Sequence, residues 1–318
     1  MRAVYYEEFG SADVLKTGNM PEPDLKPGQV LVRIAAAAVN PIDRRLRAGE
    51  LSDFFQRQWP IIPGWDFSGR IVDRGDTDWS IGQDVVGLAF SWFLHGGTYA
   101  EYIAVDSTAI ALKPENISFI EGAAVPLVSL TAWQALVEFS NLKSGQTVLV
   151  QAGAGGLGSV AISIAKHLGA YVYTTARAHN LDYVKSRGAD FVIDYTTDNY
   201  VDVISDREPD GIDVVLESLT NEAAITAAIH LVKAGGAVPY MNNPPPDMAE
   251  IKAKNIKTEF LHNRPDGQIL NEIMMLYAEK KLQIPQIETL ALKDAAEAHR
   301  RSESGQTRGK IVLHIQDI

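Results

Sequence analysis

The pattern of apolar and polar positions changes once along the chain, near residue 123. Ahead of that point, short apolar segments at Val30 to Val39, Phe67 to Asp73, Asp84 to Phe90, Tyr99 to Val105 and Thr108 to Lys113 alternate with Gly, Pro and Asp turns. That spacing predicts a mainly antiparallel sheet or partial barrel. Beyond it, near-continuous apolar runs alternate with helical periods: strands at Thr147 to Gln151, Tyr171 to Thr175, Phe191 to Asp194, Val214 to Glu217, Ala237 to Met241 and Thr258 to His262, with helices at Gly156 to Leu168 and Leu181 to Arg187. Strands of that kind interleaved with helices predict a doubly wound parallel sheet covered on both faces, an α/β unit beside the β-rich one. Two more helices, at about Leu270 to Glu279 and Lys293 to Ser302, and a last strand, Lys310 to Ile315, close the chain. No internal repeat is present, and Pro244-Pro245-Pro246 is the single low-complexity tract.

The sharpest local signal is Val148-Leu149-Val150-Gln151-Ala152-Gly153-Ala154-Gly155-Gly156-Leu157-Gly158, in which an apolar strand runs into a glycine-rich turn and then an Ala/Ile-rich helix. Gly153, Gly155 and Gly158 satisfy the dinucleotide pattern GxGxxG in the strand-turn-helix setting that gives it meaning. Gly153 is expected to permit the tight turn, Gly155 to let backbone N–H groups approach a diphosphate, and Gly158 to let the helix lie close on the strand. The helix N-terminus adds unpaired donors and a partial positive charge. No Gly-Lys-Ser/Thr follows, so a triphosphate-hydrolysing loop is disfavoured. The next strand, Tyr171 to Thr175, ends in Ala176-Arg177 and not in the carboxylate that would hold a ribose 2′-hydroxyl. A guanidinium at that place suits a 2′-phosphate, which predicts NADPH over NADH.

Composition narrows the partners. Of 318 residues 46% are apolar and 22% charged, which fits two compact domains; the net charge of -11 repels nucleic acid and anionic membranes. Cysteine is absent, which removes disulfides and thiolate metal sites and is compatible with a reducing compartment. The start, with Glu7-Glu8 behind Tyr5-Tyr6, lacks a leader pattern, so the expected location is cytoplasmic. The seven histidines show no metal spacing, and Gly-x-Ser-x-Gly is missing.

With these residues in hand the chain resembles the medium-chain dehydrogenase/reductase superfamily, in its zinc-free, zeta-crystallin-like quinone oxidoreductase branch. The resemblance runs in order through Val39-Asn40-Pro41-Ile42-Asp43, Pro63-Gly64-Trp65-Asp66-Phe67-Ser68-Gly69, Gly82-Gln83-Asp84-Val85-Val86, Gly97-Thr98-Tyr99-Ala100-Glu101-Tyr102, Leu130-Thr131-Ala132-Trp133, the glycine motif, Gly211-Ile212-Asp213-Val214-Val215, Gly235-Gly236 and Gly309-Lys310-Ile311-Val312-Leu313. It implies a GroES-like catalytic domain over residues 1–123 that resumes at 265–318. A Rossmann-type NAD(P)-binding domain over 124–264 would lie between, with the active site in the cleft. Gly64-Trp65-Asp66 stands where the zinc enzymes have Gly-His-Glu, and Asn40 lies near the position of their catalytic Cys. Between Gly87 and Gly97 there is no room for a four-Cys lobe, so zinc chemistry is not expected.

The resemblance implies that Asn40 lies beside the nicotinamide and that Asp43 holds the loop or a water; an ion pair of Asp43 with Arg44 or Arg47 is the competing role. It also implies cofactor contacts from Thr131, Ala154, Gly156, Leu157, Asn180, Tyr195 and Leu219, beside Gly153, Gly155, Gly158 and Arg177. Thr131 is expected to open the helix after the catalytic domain. Tyr240, expected just past a strand at the carboxyl edge of the sheet, is a candidate to bond an enolate or donate a proton, or else an aromatic packed on Pro244 to Pro246. The expected function is hydride transfer from NADPH to a quinone or an α,β-unsaturated carbonyl without zinc. The alternatives are an enoyl-thioester reductase, which would use Arg44, Arg45 and Arg47 at the cleft mouth, and a dinucleotide-binding protein without turnover. A homodimer paired through edge strands near Thr258 to His262 is the expected assembly.

Overall fold

The computed structural model describes residues 1–318 and divides them into two compact units, Met1–Leu130 with Arg264–Ile318, and Thr131–Asn263. The first division falls inside the helix Pro126–Trp133, a few residues beyond the change of texture at 123.

The first unit is built on a seven-stranded sheet whose central member is Gln29–Val39. That strand pairs antiparallel with Asp66–Asp73, with Tyr102–Asp106 and with Lys310–His314. Its first half alternates, burying Val30, Val32 and Ile34, while Ala35 to Val39 are buried on both faces. Small alanines fit there because strands and helices cover both sides. The C-terminal strand Lys310–His314 also pairs parallel with Ile287–Ala291, so the end of the chain completes the unit that the beginning starts. The core cluster joins Val32, Ile34, Phe67, Ile71, Val85, Ile103 and Leu313.

The helix Pro41–Ala48 leaves the end of the central strand. Pro41 sits at its first turn, where a missing N–H does no harm, and Gly49 ends it in the left-handed conformation at φ 82°. The carboxylate of Asp43 reaches back to the N–H of Asn40 at 2.8 Å, one half of a capping box. Helix capping therefore accounts for Asp43 locally before any chemistry does.

The second unit is a six-stranded parallel sheet in the spatial order Phe191–Asp194, Tyr171–Ala176, Thr147–Val150, Ile212–Leu216, Val232–Tyr240, Lys257–Phe260. Numbered along the chain this is 3-2-1-4-5-6, the dinucleotide-binding order, with its direction reversing between Thr147–Val150 and Ile212–Leu216. The helix Gly156–His167 buries every residue from Gly158 to Ala165. Its Ala, Ser and Ile side chains let it lie against the sheet without a polar face. A π-helical stretch, Gln134–Phe139, continues Pro126–Trp133, an element the sequence pattern does not announce. No helix is long and apolar enough to cross a membrane.

Candidate functional site

Two groups of residues stand out, one in each unit. In the second unit the glycine turn sits at the point where strand order reverses, which is where ligands bind in open α/β sheets. The turn is laced to the neighbouring strand: Ala152 N–H donates to Thr175 Oγ1 at 3.1 Å and Gly153 N–H to the Thr175 carbonyl at 3.0 Å. The three glycines do different things. A Cβ on Gly153 would press on Thr174, and one on Gly158 would press on the Ala152 carbonyl and the Gly153 backbone. Gly155 has nothing nearer than the Ala152 carbonyl, at 3.4 Å from such an atom, so its backbone faces open space. The left-handed residue of the turn is Ala152, at φ 51°, and not Gly153 as the motif alone suggests. Gly155 is also the N-cap of Gly156–His167 and contributes no side-chain acceptor, so the first N–H groups, those of Gly156, Leu157 and Gly158, point out of the helix end. This cradle fits a diphosphate: bare backbone, unpaired donors and the positive end of a helix dipole.

Arg177 and Tyr195, expected separately as cofactor contacts, come together at the ends of adjacent parallel strands. Arg177 Nε donates to Tyr195 Oη at 2.8 Å, and both side chains are exposed. Asn180 is buried just beyond, at the start of Leu181–Ser186. Leu219 N–H donates to Glu217 Oε1 at 2.8 Å, and Ser218 N–H to Gln151 Oε1 at 3.2 Å, so the turn after Ile212–Leu216 is tied to the end of the glycine strand. Glu217, which sequence reasoning missed, is fully buried with Oε2 unpartnered, and burial pushes its carboxyl up to about 7. Its only signal was a carboxylate directly behind the apolar run Val214-Val215-Leu216.

Two expectations in this unit need correction. Tyr240 does not stand beyond a strand: it is the last residue of Val232–Tyr240, fully buried in the core with Ile229 and Val238, and its hydroxyl donates to the Ile225 carbonyl at 2.9 Å. Burial holds its phenol above the ordinary range, so it is a packed core residue and not an available acid. Thr131 lies inside the helix Pro126–Trp133, not at its start, and accepts from Asn263 Nδ2 at 2.8 Å.

In the first unit the structure gathers four residues far apart in sequence. Asn40 Nδ2 donates to Asp66 Oδ2 at 2.9 Å; Lys310 Nζ donates to Asn40 Oδ1 at 2.5 Å and lies 3.3 Å from Asp66 Oδ2. Leu127 N–H donates to Asp66 Oδ1 at 2.7 Å. An ammonium can only donate, so the orientation of the Asn40 amide is fixed by its partners. Asn40, Asp66 and Lys310 are all at most 3% exposed. The amide of Asn40 is therefore engaged inside the unit. Burial, with Lys310 opposing it, raises the Asp66 carboxyl.

Asp43 completes the group. Its Oδ2 accepts from Asn40 N–H and from Tyr99 Oη at 3.1 Å, while Oδ1 has no partner. Behind Tyr99 lies His299 Nε2 at 3.3 Å, and His299 Nδ1 faces Arg47 Nη1 at 3.3 Å. Because a guanidinium can only donate, Nδ1 accepts, Nε2 carries the proton, and every hydrogen bond in the chain points toward Asp43. Burial, then Arg47, pushes the imidazole down to about 3, so it stays neutral. Burial pushes Asp43 up to about 7, against the N–H of Asn40 and the charge of Lys310. Arg47 is buried, with Nε on the Gly10 carbonyl at 3.1 Å and Nη2 on Glu303, so the competing ion pair of Asp43 with Arg47 is not formed. Arg44 and Arg45 both pair with Glu50. A cavity of about 10 Å³, the size of one water, is lined by Asp43, Tyr6, Trp65, Phe93 and His95 among others. Tyr99, His299 and Lys310 were given no role from sequence, and Asp66 only as part of the Gly64-Trp65-Asp66 departure from the zinc enzymes.

A β-rich unit that opens and closes the chain around a 3-2-1-4-5-6 dinucleotide sheet defines a GroES-like plus Rossmann-type architecture. Residues 26–115 match the family model for the alcohol dehydrogenase GroES-like domain, and residues 187–313 match that for zinc-binding dehydrogenases. A 2-methylene-furan-3-one reductase of Solanum lycopersicum is 35% identical over 99% of this chain and 79% of its own. A chloroplastic NADPH-dependent alkenal/one oxidoreductase of Arabidopsis thaliana is 37% identical over 75% of this chain and 61% of its own. The solved quinone oxidoreductase from Coxiella burnetii superposes with a TM-score of 0.88 at 32% identity, covering 99% of both chains. The chain belongs to the medium-chain dehydrogenase/reductase superfamily, in the branch of the quinone and alkenal/one oxidoreductases. The second model carries zinc in its description, whereas this chain has no cysteine and no group of three or more His, Asp or Glu side chains placed to hold a metal.

Proposed function

We propose that this chain reduces quinones or α,β-unsaturated carbonyl compounds with NADPH and without a metal. The observation that carries the proposal is the open backbone at Gly155, set at the reversal point of the sheet with Arg177 at the end of the neighbouring strand. The relatives' names support the acceptor class and the dinucleotide. The bound dinucleotide supplies a hydride to the electron-poor carbon or quinone. Gly155 and the N–H groups of Gly156, Leu157 and Gly158 hold its diphosphate, with Gly153 and Ala154 shaping the turn. Arg177, steadied by Tyr195, holds the 2′-phosphate, while Leu219, Asn180 and Thr131 line the rest of its path. Asp43, buried but lining the water-sized cavity, feeds the proton that balances the hydride through a water held there, with a carboxyl that burial raises to about 7. Asn40, Asp66 and Lys310 position the start of its helix. The unpaired edge of Lys257–Phe260 supports a homodimer joined through that strand, which light scattering would test.

An enoyl-thioester reductase draws less support, because Arg47 is buried and Arg44 and Arg45 share Glu50. Steady-state NADPH oxidation with a quinone, an enone and an enoyl-CoA separates the activities. Turnover of the first two is expected. Tight NADPH binding without turnover of any would mark a binding protein instead.

A further inference from the structure

At the reversal point of the parallel sheet, side chains from several strand ends converge on one turn. Gln151 follows the strand Thr147–Val150 and Glu217 follows Ile212–Leu216, the two strands between which the sheet changes direction. Gln151 Oε1 accepts from Ser218 N–H and Glu217 Oε1 from Leu219 N–H. From beyond the strand Val232–Tyr240, Asn242 Nδ2 donates to the Ser218 carbonyl at 2.6 Å and Asn243 Nδ2 to the Leu219 carbonyl at 3.4 Å. The turn Ser218–Leu219 stands at the carboxyl ends of the strands, where ligands enter an open α/β sheet. The backbone of Glu217 is held independently of its side chain: its N–H donates to the Pro239 carbonyl at 3.1 Å and its carbonyl accepts from Met241 N–H at 3.0 Å. What the carboxyl adds is the bond forward to the turn.

A carboxyl suits this position only while it carries its proton. Glu217 is fully buried, Oε2 has no partner, and the titratable groups that face it are the phenols of Tyr200 and Tyr240, which burial keeps neutral. With no cation beside it, an ionised Glu217 is drawn toward water and away from Leu219. The protonated form keeps the bond without that penalty. Resting on the NADPH binding proposed above, we propose that Glu217 is a positioning residue: protonated, it holds Ser218–Leu219 in the shape that receives the dinucleotide, and ionised, it lets that turn go. Cofactor uptake is then linked to a proton on a residue that, being fully buried, touches no ligand itself. Affinity reports this step, whereas turnover at saturating NADPH does not.

The test measures NADPH binding by calorimetry on full-length wild type and on Glu217→Gln, which keeps an acceptor for Leu219 N–H but cannot ionise. Between pH ~6.5 and ~8.5 the affinity of the variant relative to wild type should rise about tenfold, because wild type alone loses its hold on the turn. The 2′-phosphate and Asp43 titrate in both proteins and cancel in that ratio. A ratio that does not change with pH overturns the proposal. Hydrogen exchange at the amides of Ser218 and Leu219 in the dinucleotide-free proteins needs neither binding nor turnover. Corrected for intrinsic base catalysis, their protection should fall at the higher pH in wild type and hold in Glu217→Gln; protection that is equal in the two proteins at both pH values overturns it. Should wild type bind no NADPH, the dinucleotide reading fails by itself, and the exchange arm still decides whether Glu217 governs the turn.

Discussion

Replacing Lys310 by Met leaves a fully buried carboxylate, Asp66, and the carbonyl oxygen of Asn40 without their cationic donor. At 3.3 Å the attraction between Lys310 and Asp66 is about 5 kcal/mol at an effective dielectric constant of about 20, largely offset by the desolvation of both groups. Removing one partner forfeits the attraction and keeps the desolvation, so Lys310→Met should destabilise the chain by about 3–5 kcal/mol. Asp66→Asn relieves the stranded charge. The double variant should therefore be at least ~2 kcal/mol more stable than the sum of the single losses implies. The sign of the pH dependence follows from Asp66, whose folded pKa burial already raises and whose opposing influence Lys310 provides. A raised folded pKa gives stability that is complete below the unfolded value and lost as pH rises through the folded one. The deficit of Lys310→Met should accordingly shrink on acidification from pH ~8 to ~5. Urea unfolding followed by tryptophan fluorescence reports mainly the right part of the molecule, because four of the five tryptophans, Trp59, Trp65, Trp79 and Trp92, lie in the first unit and only Trp133 in the second. Additive losses within about 0.5 kcal/mol, or a deficit independent of pH, would refute the buried-pair account.

Three further expectations follow from the same structure. Gly158→Ala should destabilise by ~1–3 kcal/mol because its Cβ meets the Ala152 carbonyl, whereas Gly155→Ala should leave thermal stability nearly unchanged and weaken NADPH at least tenfold by filling the open face; equal effects on folding would contradict the division of roles. Tyr240→Phe should cost about 1 kcal/mol of stability through the lost bond to Ile225 and leave the rate of reduction intact, so a large fall in kcat would restore a catalytic role. In wild type, kcat/KM should decline as pH rises through about 7, where Asp43 loses its proton, and Asp43→Asn should be slow with that limb absent; an unaltered limb would remove Asp43 as the acid.

Much of the second unit was legible in the sequence, because its signals are local. Continuous apolar runs mark parallel strands, and a glycine turn between strand and helix marks the cradle. The strand expected at Phe191 to Asp194 matches to the residue, the other strand ends differ by one or two positions, and the strand expected from Ala237 starts five residues earlier, at Val232. What escaped is tertiary. Lys310 and Asn40 are 270 residues apart, and His299 meets Tyr99 across 200; no periodicity ties such positions together. Tyr240 was misjudged for a related reason: the end of a strand reads the same whether the side chain turns toward a ligand or toward a helix, and only the Ile225 carbonyl decides. The conformation of Ala152 likewise depends on Thr174 and Thr175 pinning the turn, so counting glycines does not reveal which residue bends.

Cofactor choice bears on Arg177 alone: Arg177→Ala should weaken NADPH roughly tenfold or more while sparing NADH, and equal losses for both would reassign it to the surface. The most direct measurement of the central claim follows the label from NADPH deuterated at the nicotinamide C4. With an α,β-unsaturated ketone as acceptor, mass spectrometry and NMR should find one deuterium on the β-carbon of the saturated product, supplied from one face of the nicotinamide. Product without the label from either C4 epimer, or no product although NADPH binds, would contradict hydride transfer by this chain.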